Sequence, residues 1–244
     1  MRSLSALDIV QVWEWGQGKH LLEKALLMLA PAFPRMSRDE LAMFSIGERN
    51  TYLFNLREQT LGPKLDAFTK CPQCSDSLEF SINMREIRRA NPNGWKKKEY
   101  TLMMDGIEIR FRLLNSLDLA FIARYGDPAA ARQFLIRRCI LESRLNGKEI
   151  PAGELPENVV SNLATSMTDN DPQAEIQFNL TCPSCNHNWM ILFDIASFFW
   201  TELSSMAKRL LHDVHILART YGWREKDILS MNANRRKIYL DMVG

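Results

Sequence analysis

Two cysteine doublets constrain the fold of this chain more than any other feature. Cys71 and Cys74 stand in "KCPQCSDSLEFSINM", and Cys182 and Cys185 stand in "TCPSCNHNWMILFDI". Each doublet has the form Cys-Pro-x-Cys and is followed by polar residues and then by an alternating apolar run, a pattern typical of a β-strand. Four of the five cysteines therefore lie in two matched contexts far apart in the sequence.

Matched doublets of this kind favour a metal site. In a zinc knuckle, a tight turn carries both cysteines of C-x-x-C, and two such turns complete a tetrahedral shell of four thiolates. The long intervening stretch, residues 75–181, is no obstacle if strand pairing brings the two hairpins together, because the entropic cost of closing a loop rises only logarithmically with its length. We therefore predict one structural zinc per chain, bound by all four cysteines, with no position left for a catalytic water.

Two other interpretations of the doublets stay open, a metal-free remnant and a redox pair. A redox C-x-x-C needs one doublet at a strand-to-helix turn, and it does not explain two doublets in equivalent hairpins. The first 18 residues lack the uninterrupted apolar core of a secretion signal, and the apolar run at 189–200 is too short to span a bilayer. We expect a cytoplasmic protein without membrane insertion, in which thiols stay reduced.

The periodicity of apolar residues predicts an α+β fold: a zinc-ribbon-like antiparallel sheet with N-terminal helices, a helical insertion and a C-terminal helical segment. Asp105-Gly106 between two alternating runs predicts a β-hairpin. Cys139 is expected inside a helix of the insertion, as a buried and inert thiol. The predicted segments are 1–62 (N-terminal helices), 63–113 with 173–195 (zinc-stapled β domain), 114–172 (mostly helical insertion) and 196–244 (C-terminal helices).

The C-terminal segment carries a long helical seam followed by two short helices. His212 and His215 flank the seam and are expected to be partly buried. The short helices either close the protein's own core or leave part of their surface open to a partner protein. The seam consists of Phe199, Leu203, Met206, Leu210, Val214, Leu217 and Tyr221, and the candidate partner-binding residues are Trp223, Ile228, Tyr239, Arg235 and Arg236.

No catalytic motif was found in the sequence. It contains no nucleophile elbow, phosphate-binding loop, dinucleotide fingerprint or HExxH, so we expect a protein that is not an enzyme and has no small-molecule substrate. The net charge is only +2, and the basic clusters at 88–98 and 234–237 are diluted by acidic neighbours, so nucleic-acid binding is not favoured. A zinc-ribbon nucleic-acid-binding or transcription factor is kept as the alternative function, and a thiol-disulfide enzyme as a third class.

Several stretches together resemble a known family. They are "VWEWGQGKHLLEKALLMLA", "IGERNTYLFNLREQTLGPKLDAFTKCPQC", "CPSCNHNWMILFDIASFFWTEL" and "LLHDVHILARTYGWREKDILSMNANRRKIYLDMV". They are similar to the baseplate and baseplate-hub-assembly proteins of contractile-tailed, T-even-like phages and phage-like contractile injection systems. The resemblance, which does not extend to 114–172, implies a non-catalytic role with other baseplate proteins as partners. It also implies assembly in the cytoplasm, and it leaves two alternatives open: a permanent place in the tail or injection particle, or the role of an assembly chaperone.

Overall fold

The computed structural model describes residues 1–87, 97–122 and 127–243. Most of the first basic cluster, residues 88–96, lies outside the described residues. Within the described ranges the chain combines helices with small antiparallel sheets, which confirms the predicted α+β class. No helix in these ranges is both long and apolar enough to cross a membrane.

The helices and strands of the described residues have the following bounds. The α-helices are α1 Ala6–Gly16, α2 Leu21–Leu29, α3 Arg38–Ala42, α4 Ile46–Leu61, α5 Met84–Ile87, α6 Ser116–Ile122, α7 Pro128–Arg138, α8 Glu157–Asn170, α9 Ile195–Tyr221, α10 Glu225–Ser230 and α11 Ala233–Asp241. The strands are β1 Lys64–Lys70, β2 Ser77–Asn83, β3 Tyr100–Met104, β4 Ile107–Phe111, β5 Ile140–Leu145, β6 Lys148–Glu149, β7 Ile176–Thr181 and β8 Asn188–Phe193.

These elements form two compact units, and the chain passes from one unit to the other at four points, one of which lies within α4. The first, here the terminal unit, comprises Met1–Arg38, Leu53–Pro63 and Ile195–Gly244. The second, here the central unit, comprises Asp39–Tyr52 and Lys64–Asp194. The four segments predicted from the sequence divide the chain by type of secondary structure and not by compact unit. Their assignment as domains stays a prediction.

Helix α9 dominates the terminal unit. Its buried stripe matches the predicted seam at four positions, because apolar residues spaced by four and seven fall on one face of a helix. At the other positions of the seam, Met206 and Val214 are half-buried and Tyr221 is exposed. The buried residues of α9 are Ile195, Ala196, Phe199, Leu203, Ala207, Leu210 and Leu217.

An ion pair between the buried Arg57 and the half-buried Glu202 fixes α4 against α9 inside the terminal unit. The guanidinium of Arg57 donates two hydrogen bonds to the Glu202 carboxylate, at 2.9 and 2.6 Å, and a third to the carbonyl of Gly62 at 2.6 Å. These hydrogen bonds offset the free-energy cost of burying the charged guanidinium.

In the central unit, the antiparallel sheet β3-β4-β5-β6 packs one face against α8. The Asp105-Gly106 turn between β3 and β4 is confirmed: φ is 50° at Asp105 and 75° at Gly106, as a type I′ turn requires. The main buried side chains between sheet and helix are Tyr100, Ile107, Ile109, Phe111, Val159, Val160, Leu163 and Met167.

Two strands of this sheet, β5 and β6, were not predicted. Their turn, Asn146-Gly147, has φ values of 49° and 83° and so repeats the conformation of the first hairpin turn. The helical position expected for Cys139 is wrong, because α7 ends one residue earlier and the chain turns there into β5. The burial of Cys139 is confirmed, and burial raises the pKa of its thiol to about 12.

The strands of the described residues form three sheets, where the sequence predicted a single zinc-stapled sheet. Strands β1 and β2 pair only with each other, as do β7 and β8. Each of these two hairpins is antiparallel and ends in one cysteine doublet. The expectation that strand pairing joins the two hairpins is therefore wrong.

Candidate metal centre

The first cysteine doublet forms the turn between β1 and β2, whose last paired residues are Lys70 and Ser77. The amide of Cys71 donates to the carbonyl of Asp76 at 2.8 Å, and the amide of Ser75 donates back to the carbonyl of Cys71 at 2.9 Å. These two bonds close a tight loop that holds Cys71 and Cys74 on the same turn.

The second doublet repeats the same turn between β7 and β8. The amide of Cys182 donates to the carbonyl of His187 at 2.9 Å, and the amide of Asn186 donates to the carbonyl of Cys182 at 2.9 Å. Each hydrogen-bonded position follows its first cysteine at the same interval as in the first turn. The two hairpins thus present their cysteines in equivalent backbone settings.

One residue in each turn adopts the left-handed backbone conformation. The φ angle is 62° at Ser75 and 56° at Asn186, the residue directly after the second cysteine in each doublet. Non-glycine residues seldom occupy this region, although Asn tolerates it better than most. The conformation reverses the chain immediately after the cysteines and leads it into the second strand of each hairpin.

The four sulfur atoms meet in one cluster in the central unit. The Sγ atoms of Cys71 and Cys185 are 3.7 Å apart, those of Cys74 and Cys182 are 3.6 Å apart, and all four lie within 4.8 Å of one another. Thiolates at about 2.3 Å from one zinc ion in a tetrahedron would be about 3.8 Å apart, whereas a disulfide needs about 2.0 Å. The arrangement therefore fits four ligands around one ion, and all four cysteines are free thiols.

The electrostatics of the cluster also favour a cation. Burial opposes the ionisation of Cys182, but amide hydrogen bonds from Cys185 and Ser184 lower its pKa to about 7. At Cys74 a hydrogen bond from the Asp76 amide favours the thiolate, yet lost hydration and the neighbouring sulfurs raise the pKa to about 12. Four adjacent thiols cannot all ionise by themselves because the charges repel, and a divalent metal ion removes that penalty.

Asp76 and Ser184 form a link between the hairpins that the sequence reasoning missed. The hydroxyl of Ser184, which lies inside the second doublet, donates to the Asp76 carboxylate beside the first doublet. The other carboxylate oxygen of Asp76 accepts from the amide of Ser77 at 3.0 Å. No spacing rule for metal ligands points to such a contact, because it depends on how the two turns face each other.

No histidine side chain of the described residues belongs to the group of potential metal ligands. His187 stacks on Trp189 with ring centroids 5.9 Å apart, and the ligand group found in the described residues consists of the four cysteines. His212 and His215 are exposed on α9, so the expectation of partial burial is wrong. The buried face of α9 in this region contains Leu210 and Leu217, and the two histidines lie outside that face.

Three of the five candidate partner-binding residues lie at an aromatic cluster in the terminal unit. Trp223 stacks on Tyr221 at 4.5 Å and meets the edge of Tyr239 at 4.8 Å, while the Arg235 guanidinium lies 5.8 Å from the Tyr239 ring. Trp223 and Tyr239 are half-buried and Arg235 is exposed.

The other two candidates, Ile228 and Arg236, belong to the interior. Ile228 is completely buried. Arg236 is buried as well, and it donates to the Asp213 carboxylate at 3.1 Å and to the carbonyl of Met231 at 3.3 Å. The expected position of both on an open surface is therefore wrong. Arg236 is held in the interior by its ion pair with Asp213. The same ion pair neutralises one positive charge of the second basic cluster.

A comparison with known protein families places most of the chain in a described family. The sequence model of a family described as "T4 bacteriophage base plate protein" matches residues 28–200, a range that contains both cysteine hairpins. No curated protein and no solved structure matches the chain significantly. The family match confirms the resemblance to baseplate proteins of T-even-like phages. It also covers residues 114–172, to which the resemblance was not expected to extend, and it ends before the C-terminal stretch 210–243.

Proposed function

The chain belongs to the T4 bacteriophage base plate protein family, and from this premise we propose that it is a structural or assembly protein of a contractile-tail baseplate, without catalytic activity. The observation that carries the proposal is the extent of the family match, well over half of the 244 residues. The protein would assemble in the cytoplasm of the producing cell and act in the tail of a phage or phage-like injection system, bound to other baseplate proteins.

A structural zinc ion is the second part of the proposal. Cys71, Cys74, Cys182 and Cys185 would hold one ion per chain, and the ion would supply a crosslink between two hairpins that share no strand pairing. The support is the mutual distance of the sulfurs and the equivalence of the two turns. Because four thiolates fill a tetrahedral shell, no ligand position remains open for a substrate.

The third part concerns the binding of other baseplate proteins. We assign it to the aromatic surface of the terminal unit: Tyr221, Trp223, Arg235, Ile238, Tyr239 and Met242. Ile238 of α11 is 55% exposed, and Met242, the C-cap residue four positions later, is 69% exposed. Exposed apolar side chains beside an arginine and clustered aromatic rings are the composition of binding hot spots.

Point substitutions test this surface without opening the core. Deleting residues 223–244 would remove the buried Ile228 and Leu229, so Ile238→Ser and Arg235→Glu are better choices. Both should leave the free energy of unfolding within about 0.5 kcal/mol of wild type, yet weaken association with co-expressed baseplate proteins about tenfold or more. Lys208→Glu, at an exposed position of α9, is the control. Unchanged association of both variants would contradict the assignment.

Gene deletion tests the proposed function as a whole. Cells that lack the protein should produce tails without a complete baseplate when they are examined by electron microscopy, and a plasmid copy should restore complete particles. Normal, functional tails in the deletion strain would overturn the proposal. Mass spectrometry of purified particles then separates a permanent baseplate component, which is retained, from an assembly factor, which is absent.

A further inference from the structure

A second surface, in the central unit, is built around a buried carboxylate. Asp118 on α6 is almost fully buried, and it accepts two hydrogen bonds from Arg112, at 2.6 and 2.9 Å, and one from Nε of Arg138 at 2.8 Å. It also accepts from the amide of Asn115 at 3.0 Å. Within the described residues neither arginine forms an ion pair with any other carboxylate, so one negative charge faces two guanidinium groups.

The arginine with the greater exposure lies over an apolar platform. The Arg138 guanidinium, 38% exposed, is 4.8 Å from the ring centre of Phe121. Phe121 stacks nearly parallel on Phe134 of α7 at 5.3 Å and is still 48% exposed. Leu117, four residues before Phe121 and so on the same face of α6, is 43% exposed. An incompletely neutralised arginine thus borders two exposed apolar side chains.

We propose that this α6–α7 surface, formed by Leu117, Phe121, Phe134 and Arg138, binds a protein segment in which a carboxylate side chain is next to an apolar one. The excess positive charge decides the sign of the partner, since opposite charges attract across an interface and like charges repel. A planar guanidinium can bind a carboxylate through two parallel hydrogen bonds while its face stays on an aromatic ring. The inference deepens the proposed function, because it names the chemistry of a partner that the aromatic surface of the terminal unit does not specify.

Single-stranded nucleic acid is the competing occupant, because bases also stack on aromatic rings beside arginine. The charges favour a protein. Arg112 and Arg138 already share Asp118, and Arg112 is only 24% exposed, so of the two arginines described at this surface only Arg138 offers an accessible guanidinium. A nucleic-acid strand carries a phosphate at every nucleotide and requires a row of basic side chains.

Fluorescence anisotropy with the purified full-length chain tests the proposal. The probe is a labelled peptide Glu-Glu-Phe-Leu-Glu-Glu, compared with Gln-Gln-Phe-Leu-Gln-Gln and with a labelled oligothymidine. The acidic peptide should bind about tenfold more tightly than the neutral one. Arg138→Gln should remove that preference, whereas Leu117→Ser should weaken both peptides about fivefold. Arg144→Gln, at an exposed arginine elsewhere in the same unit, should change nothing.

Leu117→Ser keeps the inference falsifiable if Arg138→Gln disturbs the fold, because the side chain of Leu117 takes no part in the Asp118 hydrogen bonds. No binding, equal binding of the two peptides, or retained preference in the Arg138 variant would overturn the inference. So would tighter binding of the oligothymidine with the same dependence on Arg138. The peptide measurement does not depend on tail assembly, so a negative result would not contradict the proposed baseplate function. In the same way, normal tails in the deletion strain would not contradict a positive peptide result.

Discussion

At the scale of single residues, a few side chains join parts of the chain that are distant in sequence. Asp171, which follows α8, accepts hydrogen bonds from the amide of Gly47 at 3.0 Å and from the hydroxyl of Ser45 at 3.1 Å. A Cβ atom on Gly47 would lie 2.1 Å from the Asp171 carboxylate, so only glycine allows this approach. The contact anchors the start of α4 to the end of α8 within the central unit.

The raised pKa of Asp171 should make the stability of the folded protein depend on pH. Burial is the main reason that its pKa rises from 3.8 to about 6; the Gly47 and Ser45 hydrogen bonds and the charge of Arg49 oppose the rise, and the charge of Glu48 adds to it. A raised folded-state pKa means that the folded protein holds the proton more tightly than the unfolded chain. This contribution is therefore fully present below pH 3.8 and is lost as the pH rises through about 6.

The substitution Asp171→Asn isolates that contribution. Between pH 4 and pH 7 the wild type should lose on the order of 2–3 kcal/mol relative to the variant, because the asparagine amide does not titrate. Urea unfolding of both proteins across this pH range provides the comparison. Parallel stability curves for the two proteins would show that Asp171 has an ordinary pKa in the folded state.

The cysteines make a matched pair of substitutions possible. Cys182→Ala removes a proposed metal ligand and should destabilise the zinc-loaded protein by roughly 3 kcal/mol or more. Cys139→Ala removes one buried sulfur far from the cluster in sequence and should cost only about 1 kcal/mol. In thermal unfolding, a chelator should lower the melting temperature of wild type and Cys139→Ala alike and leave that of Cys182→Ala unchanged. An equal response of the two variants to the chelator would contradict the assignment.

At the scale of elements, the sequence predicts best where local chemistry alone decides the structure. The Asp105-Gly106 hairpin and the two cysteine hairpins depend on adjacent residues, and each forms as expected. Strand β5 was missed because Ile140 and Leu141 continue the apolar pattern of α7, whereas pairing with β4 makes Ile140–Leu145 a strand. The Asn146-Gly147 dipeptide was an available signal for this hairpin.

The Asn146-Gly147 turn allows a direct test at this scale. Gly147 has a φ of 83° and open space around the position of a Cβ atom, whereas Gly153 has the same space without a positive φ. Gly147→Ala should therefore cost about 1–2 kcal/mol of unfolding free energy from backbone strain alone, and Gly153→Ala should stay within about 0.5 kcal/mol. Equal effects in chemical denaturation would mean that the turn conformation does not limit the hairpin.

At the scale of the whole molecule, the candidate site could be predicted almost completely, although the arrangement around it could not. The identity of the candidate ligands follows from the C-x-x-C spacing, which is a local property. The division of the strands into three sheets depends on long-range packing, and the Asp76–Ser184 contact depends on how two turns face each other. The partner-facing residues were the least predictable, because the burial of Ile228 and Arg236 is decided by tertiary contacts such as that with Asp213.

We propose that one metal ion holds together the two matched hairpins of this baseplate-family protein. Zinc analysis of protein purified under reducing conditions without added metal tests it most directly, with the Cys182→Ala and Cys139→Ala variants measured in parallel. We expect about one zinc per chain in wild type and in Cys139→Ala, and far less in Cys182→Ala. Wild-type protein that folds without metal, or a Cys182→Ala variant that retains a full equivalent of zinc, would contradict the claim.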